Sequence, residues 1–337
     1  MGVYTGAGSS VFYEFEADGS FGTAPSTINE IFGLNTRVGT LSTTTNRIEL
    51  GLLGQVEPTA YAFGQQAIRM STSFTFDSRT SHKIFGSIYG EDSSSPHAYP
   101  PTLGENQAPT SPKSLSAVIN VNTAGESNTL LKRTLSGGVI QSLGLSTSIG
   151  QTVDGTCDMV FGKESSVTND SSSFTEQSSV SVAGTPYTFA HGTFKVANGS
   201  SSYATIGEIQ SLDLSINQNA ELLYKLGSHQ AVDAYRRVLE ISGRFRTSWK
   251  DKTHLQHLID QATDATALTN KGGILENSNV ACELTFNNPE DNNKDMIITL
   301  KGLAFDDHTV SGLEPVEPLF EDLSFHAQAL KVVARSS

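Results

Sequence analysis

The stretch SLDLSIN, residues 211–217, decides the fold class of this chain. Its apolar residues Leu212, Leu214 and Ile216 alternate with polar ones. Successive side chains of a β-strand point to opposite faces, so this stretch presents one apolar and one polar face. The stretch VLEISGRFRTSW, residues 238–249, repeats the alternation further along the chain. The sequence therefore predicts a mainly β protein whose strands are buried on one face and exposed to solvent on the other.

Two segments predict short helices, and one predicts a long loop. Residues 253–262 (THLQHLIDQA) change to a helical period and place their apolar residues on one stripe. Residues 81–88 (SHKIFGSI) occupy the matching place in the first half of the chain. Residues 91–112 hold five prolines among Ser, Gly and Glu, a composition typical of an exposed loop and not of a core element.

The two halves of the chain resemble each other, in the same order, over nearly the whole length. The matched segments are 15–20 with 194–200, 30–38 with 208–216, 46–54 with 219–227, 68–74 with 239–245, 81–88 with 253–260, 119–122 with 284–287, 135–137 with 300–302, and 159–161 with 323–325. A polar, Ser-rich stretch near residues 162–181 has the composition of a linker or an extended arm. We predict two tandem domains, residues 1–165 and residues 166–337, the second with this stretch as its N-terminal arm.

Composition excludes several classes of function. The net charge is −13 and the pI is near 5.0, whereas a protein that grips DNA phosphates needs clustered Lys and Arg. The two cysteines, Cys157 and Cys282, lie far apart in sequence, so no disulfide framework or CxxC metal site is indicated. The first residues lack the pattern of a secretory signal, and no apolar run is long enough to span a bilayer. We expect a protein made in the cytoplasm, without a membrane-spanning segment.

The chain lacks the usual motifs of catalysis. It has no phosphate-binding GxxxxGK[ST], no GxGxxG that opens a helix and no GxSxG. His254 and His257 could share a helix face, but no third metal ligand is evident. Residues 290–295 are rich in oxygen ligands yet lack the glycine and glutamate of a calcium loop, and residues 306–308 (DDH) are expected in a loop without a role. The sequence predicts no enzyme activity, no cofactor and no metal.

The pattern of residues 209–264 resembles the tail tube proteins of tailed bacterial and archaeal viruses. An alternating strand is followed by YKLG at 224–227, a second alternating strand, Lys250-Asp251 and an amphipathic helix. Residues 34–89 follow the same pattern more faintly, with Gly51 in place of Tyr224.

The resemblance implies a structural protein of the virion tail, made in the host cytoplasm. It implies two tandem β-sandwich or barrel domains, each with a flanking α-helix, whose strands join around a ring into an inner barrel. Rings of this kind stack into the tube through which the viral genome passes to the host cell. A duplicated chain is expected to form homotrimers with pseudo-sixfold symmetry. Its partners are then further copies of itself, other tail proteins at the tube ends, and DNA that passes without specific binding.

Within this resemblance we expect some polar strand residues to face the lumen of the tube. A lining of carboxylates and small polar groups repels phosphates weakly, so DNA slides along it. Arg37, Arg244 and Arg246 fall on the same predicted faces and conflict with this expectation unless acids of other subunits pair with them. An ordinary solvated face is the equal alternative. The candidates for the lumen are Asn35, Asp213, Ser215 and Asn217.

Three other classes of protein stay open at this point. A tail terminator, a baseplate hub or a secretion-tube-like subunit would share the fold, but a terminator would not polymerise alone. A carbohydrate-binding or adhesion β-sandwich would favour exposed aromatic residues on loops and a secretory signal. An enzyme on a β-scaffold is the third class, which fold alone does not exclude.

Overall fold

Long antiparallel strands make up most of the described chain, as the alternating sequence predicts. In this computed structural model the described residues are 10–50, 60–90, 96–99, 112–122, 129–168, 184–198, 204–205, 209–249, 280–288, 295–312 and 318–335. The strands of the first half are Ser10–Phe15 (β1), Leu34–Leu50 (β2), Ala60–Thr75 (β3), His97–Tyr99 (β4), Leu115–Asn122 (β5), Thr129–Ser148 (β6) and Asp154–Thr168 (β7).

The second half is also composed mainly of strands. Its strands are Gly192–Asn198 (β8), Ala204–Thr205 (β9), Ile209–Asn217 (β10), Glu221–Leu223 (β11), Asp233–Tyr235 (β12), Glu240–Ser248 (β13), Val280–Asn287 (β14), Asp295–Ser311 (β15) and Phe320–Ala334 (β16). The prediction of a mainly β fold is confirmed.

The helix predicted at residues 81–88 is present as two short pieces. Ser81–Phe85 forms a 3-10 helix that continues into one α-helical turn, Gly86–Tyr89 (α1). A second 3-10 helix, Phe189–His191, precedes β8. The helix predicted at residues 253–262 lies outside the described residues.

All strands except β11 and β12 belong to one sheet of 14 strands, and β11 pairs with β12 alone. In the first half the neighbours run β1, β5, β6, β7, β3, β2; in the second they run β8, β14, β15, β16, β13, β10. The halves join where β6 pairs with β10, with residues 142–148 antiparallel to residues 211–217. We name this pairing the internal seam.

The corresponding strands β6 and β15 carry the same two irregularities. Gly137 and Gly302 both have positive φ angles, 65° and 64°, a region that glycine adopts without strain. Three residues later, the register shifts after Ile140 in β6 and after Phe305 in β15. A shift of this kind marks a β-bulge, which leaves one residue of the strand unpaired.

The strand pairing corrects part of the residue correspondence derived from sequence. Met159 lies opposite Ile140, and Phe325 lies opposite Phe305. Met159 therefore corresponds to Phe325, two residues beyond the Leu323 that sequence matching selects. An alternating pattern repeats every two residues, so a slip of two leaves the pattern unchanged and sequence alone does not detect it.

Most buried apolar side chains of both halves form one continuous hydrophobic core, and Val139, Val160 and Ala220 form a small second cluster. Across the internal seam, Leu143 and Leu145 of β6 lie opposite the buried Ile216 and Leu214 of β10. The two predicted domains thus share core packing.

The proline-rich segment is not wholly an exposed loop. Within it, β4 pairs with residues 332–334 of β16 in the other half. Tyr99 is 1% exposed, and its ring centroid lies 6.4 Å from that of Phe85. The prolines at 96 and 100 flank this three-residue strand and leave its backbone N–H groups in place. The remaining part of the segment, residues 91–95 and 100–111, lies outside the described residues.

Candidate functional site

One side of the sheet carries mainly small polar and charged side chains, and we name it the polar face. Asp213 and Ser215 of β10 are exposed on it. The alternate residues Leu212, Leu214 and Ile216 point to the other side and are each 2% exposed. The alternation predicted from SLDLSIN is therefore present, and it separates the core from the polar face.

A shallow groove on the polar face is formed by six strands from both halves. Its small polar residues are Ser146, Thr156, Ser215, Ser242 and Ser324. Side chains of this size offer hydrogen-bonding groups but no apolar enclosure for a small molecule. The groove also contains the charged or ionisable residues Asp213, Arg244, Asp306 and His326.

Two contacts between acidic and basic side chains of the polar face form within the chain. Arg244 lies directly opposite Asp213 in the strand register, and its Nη2 is 3.3 Å from Oδ1 of Asp322. Asp306 Oδ2 lies 3.3 Å from Nε2 of His326. The acid that balances Arg244 thus comes from the same chain, and no other subunit is needed to supply it.

Arg246 and Arg37, the other two arginines expected on the predicted polar faces, have different surroundings. The guanidinium of Arg246 lies over the ring of Phe320, 4.6 Å from its centroid. This contact is a cation–π interaction, in which the ring face attracts the positive charge. Arg37 is exposed on β2, opposite Ser73.

The other predicted candidates for the lumen occupy less regular positions. Asn217 is half-buried and lies opposite Ser142, whose Oγ donates to Oδ2 of Asp158 at 2.8 Å. Asn35 is exposed with a φ of 53°, at a break in register of β2. The sequence comparison matched Asn35 with Asp213, whereas the strand pairing matches Thr40 with it.

Thr40 and Ser42 of β2 lie on the polar face but were not among the candidates selected from the sequence. Thr40 lies opposite Ser71 and Ser42 opposite Arg69, on the strand side that corresponds to Asp213 and Ser215. A shift in register between Val38 and Thr40 displaces this strand by one residue. Residues 40–45 (TLSTTT) contain a single apolar residue, Leu41, so the sequence does not show a clear alternation that would indicate the strand phase.

The buried ionisable groups show no catalytic arrangement. Burial raises the pKa of both Cys157 and Cys282, which keeps the thiols protonated. Burial, followed by the charges of His97 and Lys83, lowers the pKa of His82 to about 3, so this ring is neutral. In the part of the chain that the structure describes, no three His, Cys, Asp or Glu residues come together as metal ligands. His254, His257 and residues 290–294 lie outside that part.

Residues 306–308 lie in β15 and not in the loop that the sequence suggested. Asp306 pairs with His326 on the polar face, as described above. His308 Nε2 lies 2.9 Å from Oε2 of Glu321, and both side chains are buried. The acid and the base of this tripeptide therefore contact different partners and form no common site. In a regular strand these two residues would share a face, but the β-bulge between Phe305 and Asp307 changes the phase of β15 and turns them to opposite faces.

Among the described residues, no helix is long and apolar enough to cross a membrane.

No curated protein matches the chain. The solved SPP1 tail tube is 11% identical and covers 45% of this chain and 81% of its own, with a TM-score of 0.32. The tail of an empty GTA particle, refined with C6 symmetry, is 16% identical and covers 44% of this chain and 98% of its own, with a TM-score of 0.27. Both TM-scores are too low to add to an assignment.

A family model decides the assignment. The model described as phage tail tube protein matches residues 6–327, which is nearly the whole chain. The match includes both halves of the sheet and the entire internal seam. The chain therefore belongs to the phage tail tube protein family.

Proposed function

We propose that this chain forms rings that stack into a tail tube, with the polar face lining the channel that viral DNA crosses. Membership of the family makes the chain a structural subunit of the virion tail and not an enzyme. Other tail proteins are expected at the two ends of the tube.

The observation that carries this proposal is the chemistry of the polar face. It extends over strands of both halves and presents Ser and Thr side chains together with Arg244, whose guanidinium contacts the carboxylate of Asp322. A surface that grips DNA needs unbalanced Lys and Arg at the phosphates. The net charge of −13 adds a weak, general repulsion. A lining of this kind favours sliding of DNA over binding.

The strand order supports a trimer with pseudo-sixfold symmetry. The two halves have the same order of paired strands and the same glycine and bulge in β6 and β15. We propose that residues 1–165 and 166–337 are two copies of one domain, so that three chains supply six similar units to a ring. Closed cyclic symmetry satisfies the edges of every unit.

The proposal is tested by electron microscopy of the purified protein, with its mass in solution measured alongside. We expect stacked rings with a central hole and three chains in each ring. Rings of six chains would support the proposed tube but contradict the proposed trimer. A monodisperse monomer over a range of protein and salt concentrations would reject the tube itself.

Adding positive charge to the polar face is expected to make the tube bind DNA. In the double variant Ser146→Lys/Ser215→Lys, both lysines lie on exposed positions of this face. Each new ion pair with a phosphate releases counterions, so we expect binding of duplex DNA to tighten on the order of 10-fold or more at low salt. The measurement is the affinity of assembled tubes for a short duplex at several salt concentrations.

The matched control places two lysines outside the sheet. Ser26 and Thr27 are exposed between β1 and β2, and Ser26→Lys/Thr27→Lys adds the same charge. We expect these tubes to bind DNA no more tightly than the unmodified ones. Equal binding by both double variants would show that the polar face does not line the channel.

A further inference from the structure

Several strand edges of the described sheet lack a strand partner, and two of them belong to β2 and β15. β2 pairs with β3 on one side, and no described strand covers its other side at residues 37–45. β15 pairs with β16 along residues 296–311, but β14 covers its opposite side only at residues 295–301. Among the described strands, none covers that side at residues 307–311. Open edges of this kind are templates for pairing with another strand.

The internal seam shows what covers such an edge within the chain. β6 pairs with β7 on one side; on its other side β5 covers residues 129–138 and β10 covers residues 142–148. β15 has the same relation to β16 and β14 that β6 has to β7 and β5. The open part of β15 therefore corresponds to residues 142–148 of β6, which pair with β10. By its place in the strand order, β2 corresponds to β10.

We propose that β2 of one copy pairs antiparallel with the open part of β15 of the neighbouring copy, a second seam that repeats the internal one. The inference rests on the proposed ring and adds its contact surface and its register. Transfer of the internal register places Thr40 opposite Ser311 of the neighbouring copy, as Asp213 lies opposite Ser146. By the same transfer, Ser42 lies opposite Thr309.

The apolar residues at the two edges support this pairing. Across the internal seam, Leu214 and Leu145 lie opposite each other and are 2% and 4% exposed. Their counterparts at the open edges, Leu41 and Val310, are only partly buried. Pairing of the two edges brings these counterparts opposite each other and covers both. The polar positions of the two edges are mostly Ser and Thr, so no like charges meet.

The edge of β2 and the open edge of β15 are different surfaces, and this difference determines how copies of the chain assemble. An edge that pairs with a copy of itself gives a closed dimer, whereas two different edges join head to tail. A head-to-tail contact closes into a ring when its rotation permits. The internal seam already joins two similar units in this sense, so a matching second seam continues the same rotation.

Cysteine cross-linking tests the contact and its register. The variant Thr40→Cys/Ser311→Cys places one thiol at each edge, while the native Cys157 and Cys282 are buried and protonated. A short bis-maleimide is expected to link copies into covalent dimers and trimers, with no larger product. The variant Asp213→Cys/Ser146→Cys is the matched internal pair, and it calibrates the linker through a link inside one chain. The variant Thr44→Cys/Ser311→Cys is four residues out of register, about 13 Å along the strand, and is expected to link poorly.

Each single variant adds a further control. Thr40→Cys alone and Ser311→Cys alone should give no linked copies, and a mixture of the two should give dimers only. Linking of Thr40→Cys to itself would indicate edge-to-like-edge pairing and overturn the proposal. If tubes form but the Thr40→Cys/Ser311→Cys pair stays unlinked while the internal pair links, the second seam is wrong and the tube function stands. If neither rings nor tubes form, the proposed function fails first.

Discussion

Replacing Glu16 with alanine is expected to lower the free energy of unfolding by about 3–5 kcal/mol, because it leaves buried donors without an acceptor. The Glu16 side chain is 2% exposed, and its two carboxylate oxygens accept four hydrogen bonds. Two come from the hydroxyls of Ser114 and Ser116, at 2.6 and 2.7 Å. Two come from the backbone N–H groups of Gly22 and Gly137, at 2.8 and 2.7 Å.

This carboxylate connects separate parts of the first half. Gly22 follows β1, the two serines precede and begin β5, and Gly137 lies at the positive-φ position of β6. Loss of the carboxylate therefore weakens the connection between the start of the chain and the sheet. Charge-assisted bonds to a carboxylate are about twice as strong as neutral ones, so Glu16→Gln is expected to recover only part of the loss.

The matched control is Glu30→Ala. Glu30 is partly exposed and accepts one ion-pair contact, from Lys83 Nζ at 2.6 Å. An ion pair near the surface contributes about 0.2–1 kcal/mol. Denaturant unfolding of the unassembled subunit, followed by circular dichroism, measures the three variants. A cost for Glu16→Ala no larger than that for Glu30→Ala would contradict a structural role for the buried carboxylate.

Truncation of Phe245 is the second change with a large expected effect. Phe245 is 1% exposed and lies at the centre of an aromatic cluster in the second half. Its ring centroid is 5.1 Å from that of Phe194, 6.3 Å from that of Phe305 and 6.1 Å from that of Phe325. Phe245→Ala removes buried area and leaves a cavity, so we expect a loss of about 3–5 kcal/mol in the free energy of unfolding.

Phe320→Ala is the control for this truncation. Phe320 is half-buried, and its ring contacts the guanidinium of Arg246. Loss of a partly exposed cation–π contact costs about 1 kcal/mol. The unfolding midpoints in guanidinium chloride compare the two variants, and similar shifts would show that the cluster around Phe245 is not packed as described. The slope of the transition should stay unchanged if both variants keep the native fold.

The architecture of a single strand was readable from sequence. The alternation in residues 211–217 and 238–249 predicted β10, β13 and the side of each strand that is buried. Residues 81–88 predicted the short helical segment between β3 and β4. These features depend on side chains that are neighbours along the chain, so a local pattern is enough to predict them.

The residues of the polar face were only partly readable from sequence. Asp213 and Ser215 could be placed on it because they alternate with buried apolar residues, whereas Thr40 and Ser42 lie in a Ser- and Thr-rich run without such a contrast. The acid that balances Arg244 is Asp322, which is 78 positions later in the chain. No spacing rule connects two residues that meet only through strand pairing.

The sequence by itself determined the mainly β class, the polar and apolar sides of the clearest strands and the order of the similar segments in the two halves. The tertiary structure alone decided the strand register, the pairing of β4 with β16, and the internal seam that joins β6 to β10. The physical reason is the two-residue period of a strand. That period determines which side of a strand is apolar, but it is unchanged by a slip of two residues and does not identify the partner strand. Partner and register depend on contacts between residues far apart in the chain, and those exist only in the folded sheet.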